Sequence, residues 1–174
     1  MGDTLKDLKE RRSTRKYKED QISDSELNTI LEAGTWAASG KGAQSGLIVV
    51  TQNANTIADL EKINAGIAGN KAAKTFYGAP TLVMVFADTD LPTWVDDGNM
   101  IIANLMIAAE AIGVASCYVY RARETFESAE GRALMKTWGI DEKYKAIGNV
   151  ILGYSAENPA QRPPRKENYI LKVN

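Results

Sequence analysis

Histidine is absent from the 174-residue chain, and Cys117 is the only cysteine. These two shortages remove whole mechanisms. Neither a Ser-His-Asp nor a Cys-His nucleophile can be assembled, a zinc site of Cys or Cys/His type lacks its ligands, and no disulfide can close within the chain. A lone thiol suits a reducing compartment. An excess of positive charge is missing too. With 21 Lys and Arg against 22 Asp and Glu the net charge is −1, so no general polyanion-binding surface, and no nucleic-acid partner, is expected. No apolar run approaches the ~20 residues that span a bilayer, and the first residues lack the apolar core of a signal peptide. The expectation is a cytoplasmic protein without a membrane partner. Hydrophobic residues at 44% and charged residues at 25% are ordinary globular values, and the length fits one domain over residues 1–174. An enzyme made from this set would draw its chemistry from a cofactor.

What is present begins with Arg11, Arg12, Ser13, Thr14, Arg15 and Lys16, directly after a short amphipathic run, Asp3 to Glu10. Guanidinium forks match phosphate oxygens, and Ser13 adds a short hydroxyl donor, so the cluster could hold a phosphate monoester from several directions. The same cluster also suits a helix end, where the dipole favours cations with no ligand at all. Next, Ser23 to Glu26 form a capping-box pattern that opens a helix expected over 24–38. A small, polar loop, Ser39 to Gly46, follows, and then a strand, Leu47 to Thr51. Phosphate loops of the familiar kinds follow a strand and precede a helix. This loop has the reverse order. Gly34 stands one residue too far from Gly40-Lys41 for a Walker A loop, and Ser45 occupies the place of the third Rossmann glycine. Both are rejected. What remains is a loop whose backbone can approach a ligand closely, or an ordinary turn.

A second helix is read over Asn55 to Ile67, and a strand buried on both faces over Thr81 to Ala87. From Asp96 to Ile112 the helical pattern is apolar almost all round. Such a helix needs cover on most sides, which predicts a homodimer, with a central helix covered wholly within one chain as the alternative. Strands at Val114 to Tyr120 and Lys145 to Tyr154 flank a helical segment marked by Phe126 and Trp138. After a Pro-containing arm, Ser155 to Pro164, the β-prone run Tyr169 to Val173 could reach a neighbour's sheet edge. Four strands interleaved with helices predict an α+β fold: a central mixed, mainly antiparallel sheet flanked by helices, with the C-terminal strand added to a partner's sheet.

Taken in order, these pieces resemble the nitroreductase family of FMN-dependent oxidoreductases over almost the whole chain. Arg11-Arg12-Ser13-Thr14-Arg15-Lys16-Tyr17 is similar to the family's N-terminal signature, and Ala38-Ser39-Gly40-Lys41-Gly42-Ala43-Gln44-Ser45 to its second flavin loop. Asp97-Gly98 with the apolar helix, then Ala115 to Arg123, resemble its central helix and the strand beside the flavin; Gly153-Tyr154 and Arg162 to Lys166 resemble its closing motif. The resemblance implies that Arg11, Ser13 and Arg15, with Arg12 nearby, hold the FMN phosphate and ribityl chain, and that Arg165 or Lys166 adds a cation from the tail. It implies that Ala38, Ser39, Gly40 and Gln44 face the flavin of the partner subunit in an intertwined homodimer. Asn70 and Lys74 match positions at the pyrimidine edge, with a solvated pair before a strand as the alternative, and the backbone of Tyr118, Val119 and Tyr120 would lie near N5. No side chain is expected to be catalytic. The implied activity is ping-pong hydride transfer from NADH or NADPH, through flavin N5, to an electron-poor small molecule such as a nitroaromatic or quinone. Related flavin chemistry, such as dehalogenation or flavin breakdown, and a non-enzymatic flavin module are the alternatives. Ala38 stands where a proline is common, and Tyr120 where short members often carry histidine, so Tyr120 either replaces a proton donor or packs. Cys117 is expected to be a buried structural thiol.

Overall fold

A computed structural model describes residues 4–173. Of the amphipathic run read at the start of the chain, Asp3 lies outside them, and Thr4–Glu10 forms helix α1. Strands β1 (Gly46–Thr51), β2 (Thr81–Asp88), β3 (Ala115–Val119) and β4 (Tyr144–Gly153) make one sheet in the order β1-β2-β4-β3. Every ladder is antiparallel, and the mixed character expected from sequence comes down to one isolated parallel bridge, Ser13 to Ser116. The fold is α+β, as read.

Strand β2 shows why. It is central, and its apolar run feeds both faces at the strand's period of two. Leu82, Met84 and Phe86 enter one core, where α3 (Ala54–Ile67), α5 (Ala122–Glu127) and α6 (Ala129–Thr137) add Leu60, Phe126 and Met135. The Phe86 and Phe126 rings meet edge to face at 4.9 Å. Val83 and Val85 enter the other core, covered by Ile30 of α2 (Asp24–Thr35) and by Ile101 and Leu105 of α4 (Trp94–Ala111). Among the described residues no helix is long and apolar enough to cross a membrane.

Two boundaries differ from the sequence reading. The capping box is present: the Ser23 hydroxyl accepts from the Glu26 N–H, and the Glu26 carboxylate accepts in return from the Ser23 N–H. The phenol of Tyr154 also donates to Glu26, at 2.7 Å, which ties the start of α2 to the end of the sheet. Yet α2 stops at Thr35 instead of 38, because the Trp36 and Ala37 N–H groups turn back to Ala33 and Gly34 in a tightened last turn and release the chain into the loop. The segment read as one helix from Arg121 to Trp138 is two, broken at Ser128, whose extended backbone (φ −67, ψ 163) caps α6. Its hydroxyl accepts from the Gly131 N–H and donates to the Thr125 carbonyl. The corner is tight. A Cβ on Gly131 would lie 2.0 Å from the Thr125 carbonyl oxygen. Gly131→Ala is therefore expected to lower stability by about 1–3 kcal/mol, despite alanine's better helix propensity, as a fall in the urea midpoint.

The β-prone run Tyr169 to Val173 forms no strand among the described residues, and Ile170, Leu171 and Val173 are exposed.

Candidate functional site

The basic stretch is not a free helix end. The Arg11 N–H closes the last turn of α1 on the Asp7 carbonyl at 2.8 Å, after which the chain runs extended along the sheet. Ser13 bridges Ser116, and the Thr14 N–H reaches the Ser116 carbonyl at 3.1 Å. Tyr17 bridges Ser155, the Lys18 N–H reaches the Tyr154 carbonyl, and the Arg15 N–H donates to the Glu157 carboxylate at 2.7 Å. The segment is thus pinned against the outer edge of β3 and the chain beyond β4. Its side chains stay available. Arg12 Nη1 donates to the carbonyls of Lys9 and Arg11, while Arg12 Nε and Arg11 Nη1 are buried with no partner. Burial lowers the pKa of Arg12 first, and the nearby charges of Arg162, Arg165 and Arg11 lower it further. The tail therefore brings Arg165, one of the sequence-predicted cations, to this cluster. Lys166 instead lies over the Tyr169 ring, at 5.1 Å. Arg162, which also meets Glu10 at 3.4 Å, joins the cluster from the closing motif.

Two buried, unanswered guanidinium donors beside a serine and two tail arginines are unusual in a folded chain, where buried donors are nearly always satisfied. A tetrahedral dianion would satisfy them. The residues present fit a phosphate.

Along β3 from this point the backbone continues the site. The Ser116 carbonyl points outward to Thr14, and in an antiparallel strand the N–H and C=O of alternate residues share a side. The backbone of Tyr118 therefore faces the same open edge, whereas past the end of β3 the Tyr120 carbonyl turns to the buried Asn64. Asn64 Nδ2 donates to the Tyr120 carbonyl at 2.9 Å, and Tyr120 as a residue is 62% exposed. Four residues of strand, from Ser116 to Tyr120, measure about 13 Å. A phosphate at one end and a planar ring at the other fit that span. Val119 and Cys117 point the other way, into the core, and the Cys117 thiol donates to the Tyr118 carbonyl at 3.4 Å. Tyr118 is half-buried, and burial, followed by neighbouring Tyr120 and Glu124, pushes its phenol pKa up.

Asn70 and Lys74 lie in the turn after α3, committed locally: Asn70 Oδ1 accepts from the Ala72 N–H, and Lys74 pairs with Glu61 at 3.7 Å. The ion pair is exposed on the lysine side, and breaking it to meet a ligand would cost little.

The glycine loop is anchored by a residue that sequence reasoning left out of the site. Asp97, 4% exposed in the first turn of α4, accepts from the Gly40 N–H at 2.9 Å, the Ser45 hydroxyl at 2.6 Å and the Thr93 hydroxyl at 3.2 Å. Burial works to raise the Asp97 pKa, but the three hydrogen bonds outweigh it and the carboxyl lies below its usual range. Gly40 must be glycine, because a Cβ there would sit 2.3 Å from the Thr93 hydroxyl. Ser39 accepts from the Gln44 N–H at 3.0 Å, and Lys41 and Gln44 take left-handed backbone at φ 53 and 51. Ala38, Ser39, Gln44 and Asp97 line a cleft of about 320 Å³. This loop does not meet the arginines of its own chain. It hangs on the start of α4, whereas Arg11 and Arg12 act electrostatically on Glu110 in its last turn. The thirteen residue steps from Asp97 to Glu110 put the two sites about 20 Å apart along the helix.

The Nitroreductase family model matches residues 8–154. The whole chain superposes on a nitroreductase with bound FMN from Bacteroides fragilis NCTC 9343, with TM-score 0.90, 30% identity and 100% of each chain covered. A nitroreductase with bound FMN from Desulfitobacterium hafniense DCB-2 gives TM-score 0.87 and 27% identity, again with 100% of each chain covered. A provisionally named NADH dehydrogenase/NAD(P)H nitroreductase of Methanothermobacter thermautotrophicus is 25% identical over 166 residues, 92% of this chain and 81% of that one.

Proposed function

Because the chain belongs to the nitroreductase family, whose model matches residues 8–154, we propose that it is an FMN-dependent NAD(P)H oxidoreductase. The observation that carries this reading is the pair of buried, unpartnered donors on Arg11 and Arg12, beside Ser13, at the head of the open β3 edge. Arg11, Ser13 and Arg15 hold the phosphate and ribityl chain, with Arg12 and Arg165 adding field and Lys166 in reserve on the tail. Bound FMN supplies the redox chemistry at N5, in ping-pong exchange between a reduced nicotinamide and an electron-poor acceptor such as a nitroaromatic or quinone. The chain's own part is to bind, orient and tune. The outward backbone of Tyr118 offers a donor and an acceptor to the ring edge, and Asn70 and Lys74 supply an amide and a cation where reduction would build negative charge.

The proposal includes a homodimer with the cofactor in the interface. Its support is the separation of the Ser39–Gln44 loop from the same chain's arginines, which a second subunit would remove by presenting its loop across the boundary. Trp36 and Met100 are exposed at 79% and 46%, apolar surface that a second subunit would cover. The tail run Tyr169 to Val173, exposed throughout, is assigned to the partner's sheet edge. One FMN-binding domain over residues 1–174, in the cytoplasm, completes the reading.

The test is a visible absorption spectrum of the purified protein, repeated after anaerobic addition of NADH and then NADPH. A flavin spectrum that bleaches with either donor is expected. A protein that stays colourless and takes up no added FMN would refute the cofactor assignment.

A further inference from the structure

Two arginines just beyond β3 have no part in the site described so far. Arg121 takes left-handed backbone, φ 73 and ψ 21, a region that L side chains other than Asn and Asp rarely enter. Glycine would sit there without strain. An arginine kept at a cost in conformation needs another reason to be there. Arg121 is partly buried, but polar pairing does not supply it. Among the described residues its guanidinium makes no ion pair and no hydrogen bond; it lies over the exposed Tyr120 ring, 5.6 Å from the centroid. Two residues on, exposed Arg123 lies 4.8 Å over the ring of Trp94, the first residue of α4, also with no carboxylate partner.

A cation–π contact at 5.6 or 4.8 Å spends no N–H donor, and with no hydrogen bond or ion pair among the described residues each guanidinium stays free to take an oxyanion in bidentate fashion. Both arginines are thus held with their forks unspent. They stand at the Tyr120 end of the open strand edge, the end opposite Arg11 to Arg15, so their anion is a second one and not the phosphate at Ser13. We propose that Arg121, seconded by Arg123, receives an oxyanion carried by the planar redox partner and so sets a preference for anionic over neutral partners. This rests on the flavin reading, which is what lays a ring beside Tyr118 and Tyr120. The oxyanion has two sources: a carboxylate on an aromatic acceptor, or the diphosphate of the nicotinamide donor.

The experiment compares the FMN-loaded wild type with Arg121→Gly and Arg121→Lys, using 4-nitrobenzoate and its neutral near-isostere 4-nitrobenzamide as acceptors. Arg121→Gly is expected to keep FMN, to melt no lower than wild type, to keep kcat with nitrobenzamide, and to raise KM for nitrobenzoate about tenfold, one lost charge-assisted contact. Arg121→Lys, which keeps the charge without the fork, is expected to fall between. Calorimetric binding of nitrobenzoate to the oxidised protein should weaken in parallel. A rise confined to the KM for NADH or NADPH would assign the oxyanion to the donor's diphosphate. Equal KM values for all three partners in wild type and Arg121→Gly, with FMN retained, would overturn this inference alone. So would a several-degree loss of Tm in Arg121→Gly without any charge-selective change, since Arg121 would then only be covering Tyr120. A wild type that takes up no FMN overturns the flavin reading and this one with it.

Discussion

Arg11→Ala together with Arg15→Ala is expected to weaken FMN binding by about 10²- to 10⁴-fold while the fold survives. The size follows from the contacts removed. A hydrogen bond to a charged group contributes roughly 1.5–3 kcal/mol, and two guanidinium groups on one phosphate make at least two, so about 3–6 kcal/mol of affinity is at stake, at 1.4 kcal/mol per tenfold. Stability has little to lose. Arg15 is exposed, and it is its backbone N–H, which alanine retains, that meets Glu157. Arg11 Nη1 is buried without a partner, so its removal takes away an unmet donor and not a bond. The measurement is a fluorescence titration of released FMN beside a thermal melt of the FMN-free proteins. A double variant that holds FMN as tightly as wild type, with an unchanged melt, would remove the phosphate site from this segment.

That prediction depends on a placement the local sequence could not give. The short amphipathic run was read to end at Glu10, as α1 does, but nothing local says where the chain goes after it. The docking of Ser13 on Ser116 joins residues about a hundred positions apart, by one parallel bridge, and leaves no trace in either neighbourhood. The elements whose causes are local were legible. The capping box of α2, the two-faced apolar run of β2 and the over-apolar α4 each carry their reason in adjacent residues, and each stands within a few positions of where it was read. The break at Ser128 was hidden by the apolar spacing on either side, which two short helices at an angle share with one long one. Of the candidate site, local pattern made the residue types readable, and the family resemblance, not any local signal, joined a tail cation to the first arginines, where Arg165 lies near Arg12. Nothing in the order of the chain says that the glycine loop and the arginine segment hang on opposite ends of one helix. The left-handed turn at Arg121 had no signal either, since glycine and asparagine are the residues that announce it.

Asp97 was read only as part of the Asp97-Gly98 motif that opens the central helix, and it carries the second large effect. Asp97→Asn is expected to lower stability by about 3 kcal/mol, or roughly 6–12 °C in Tm for a chain of this size. The wild-type carboxylate accepts from three donors in a site 4% exposed: Gly40 N–H, Ser45 O–H and Thr93 O–H. An asparagine of the same shape offers one oxygen, and turns two donor hydrogens toward groups that are themselves donating. At least one buried donor is left unmet. The loss of the negative charge from the first turn of α4 adds a smaller term. The pH dependence gives a second check with a definite sign. The folded pKa of Asp97 is depressed, so its contribution is fully present above the ordinary carboxylate value near ~3.9 and is lost as pH falls through the lower folded value. The gap between wild type and Asp97→Asn should therefore be widest at neutral pH and close in strong acid, where the wild-type group is itself protonated. Urea midpoints at pH 7 and pH 3 measure it. A gap that does not narrow with acid would mean that the charge is not what anchors the loop. Because the loop's contact with Asp97 runs through the Gly40 backbone, the same variant should loosen Ser39 to Gln44 and weaken whatever that loop holds, which in the proposed dimer is the partner's flavin. In Asp97→Asn a deficit in cofactor affinity should accompany the deficit in stability, whereas Gly131→Ala, which acts at the α5–α6 corner, should lower stability and leave FMN affinity where it was.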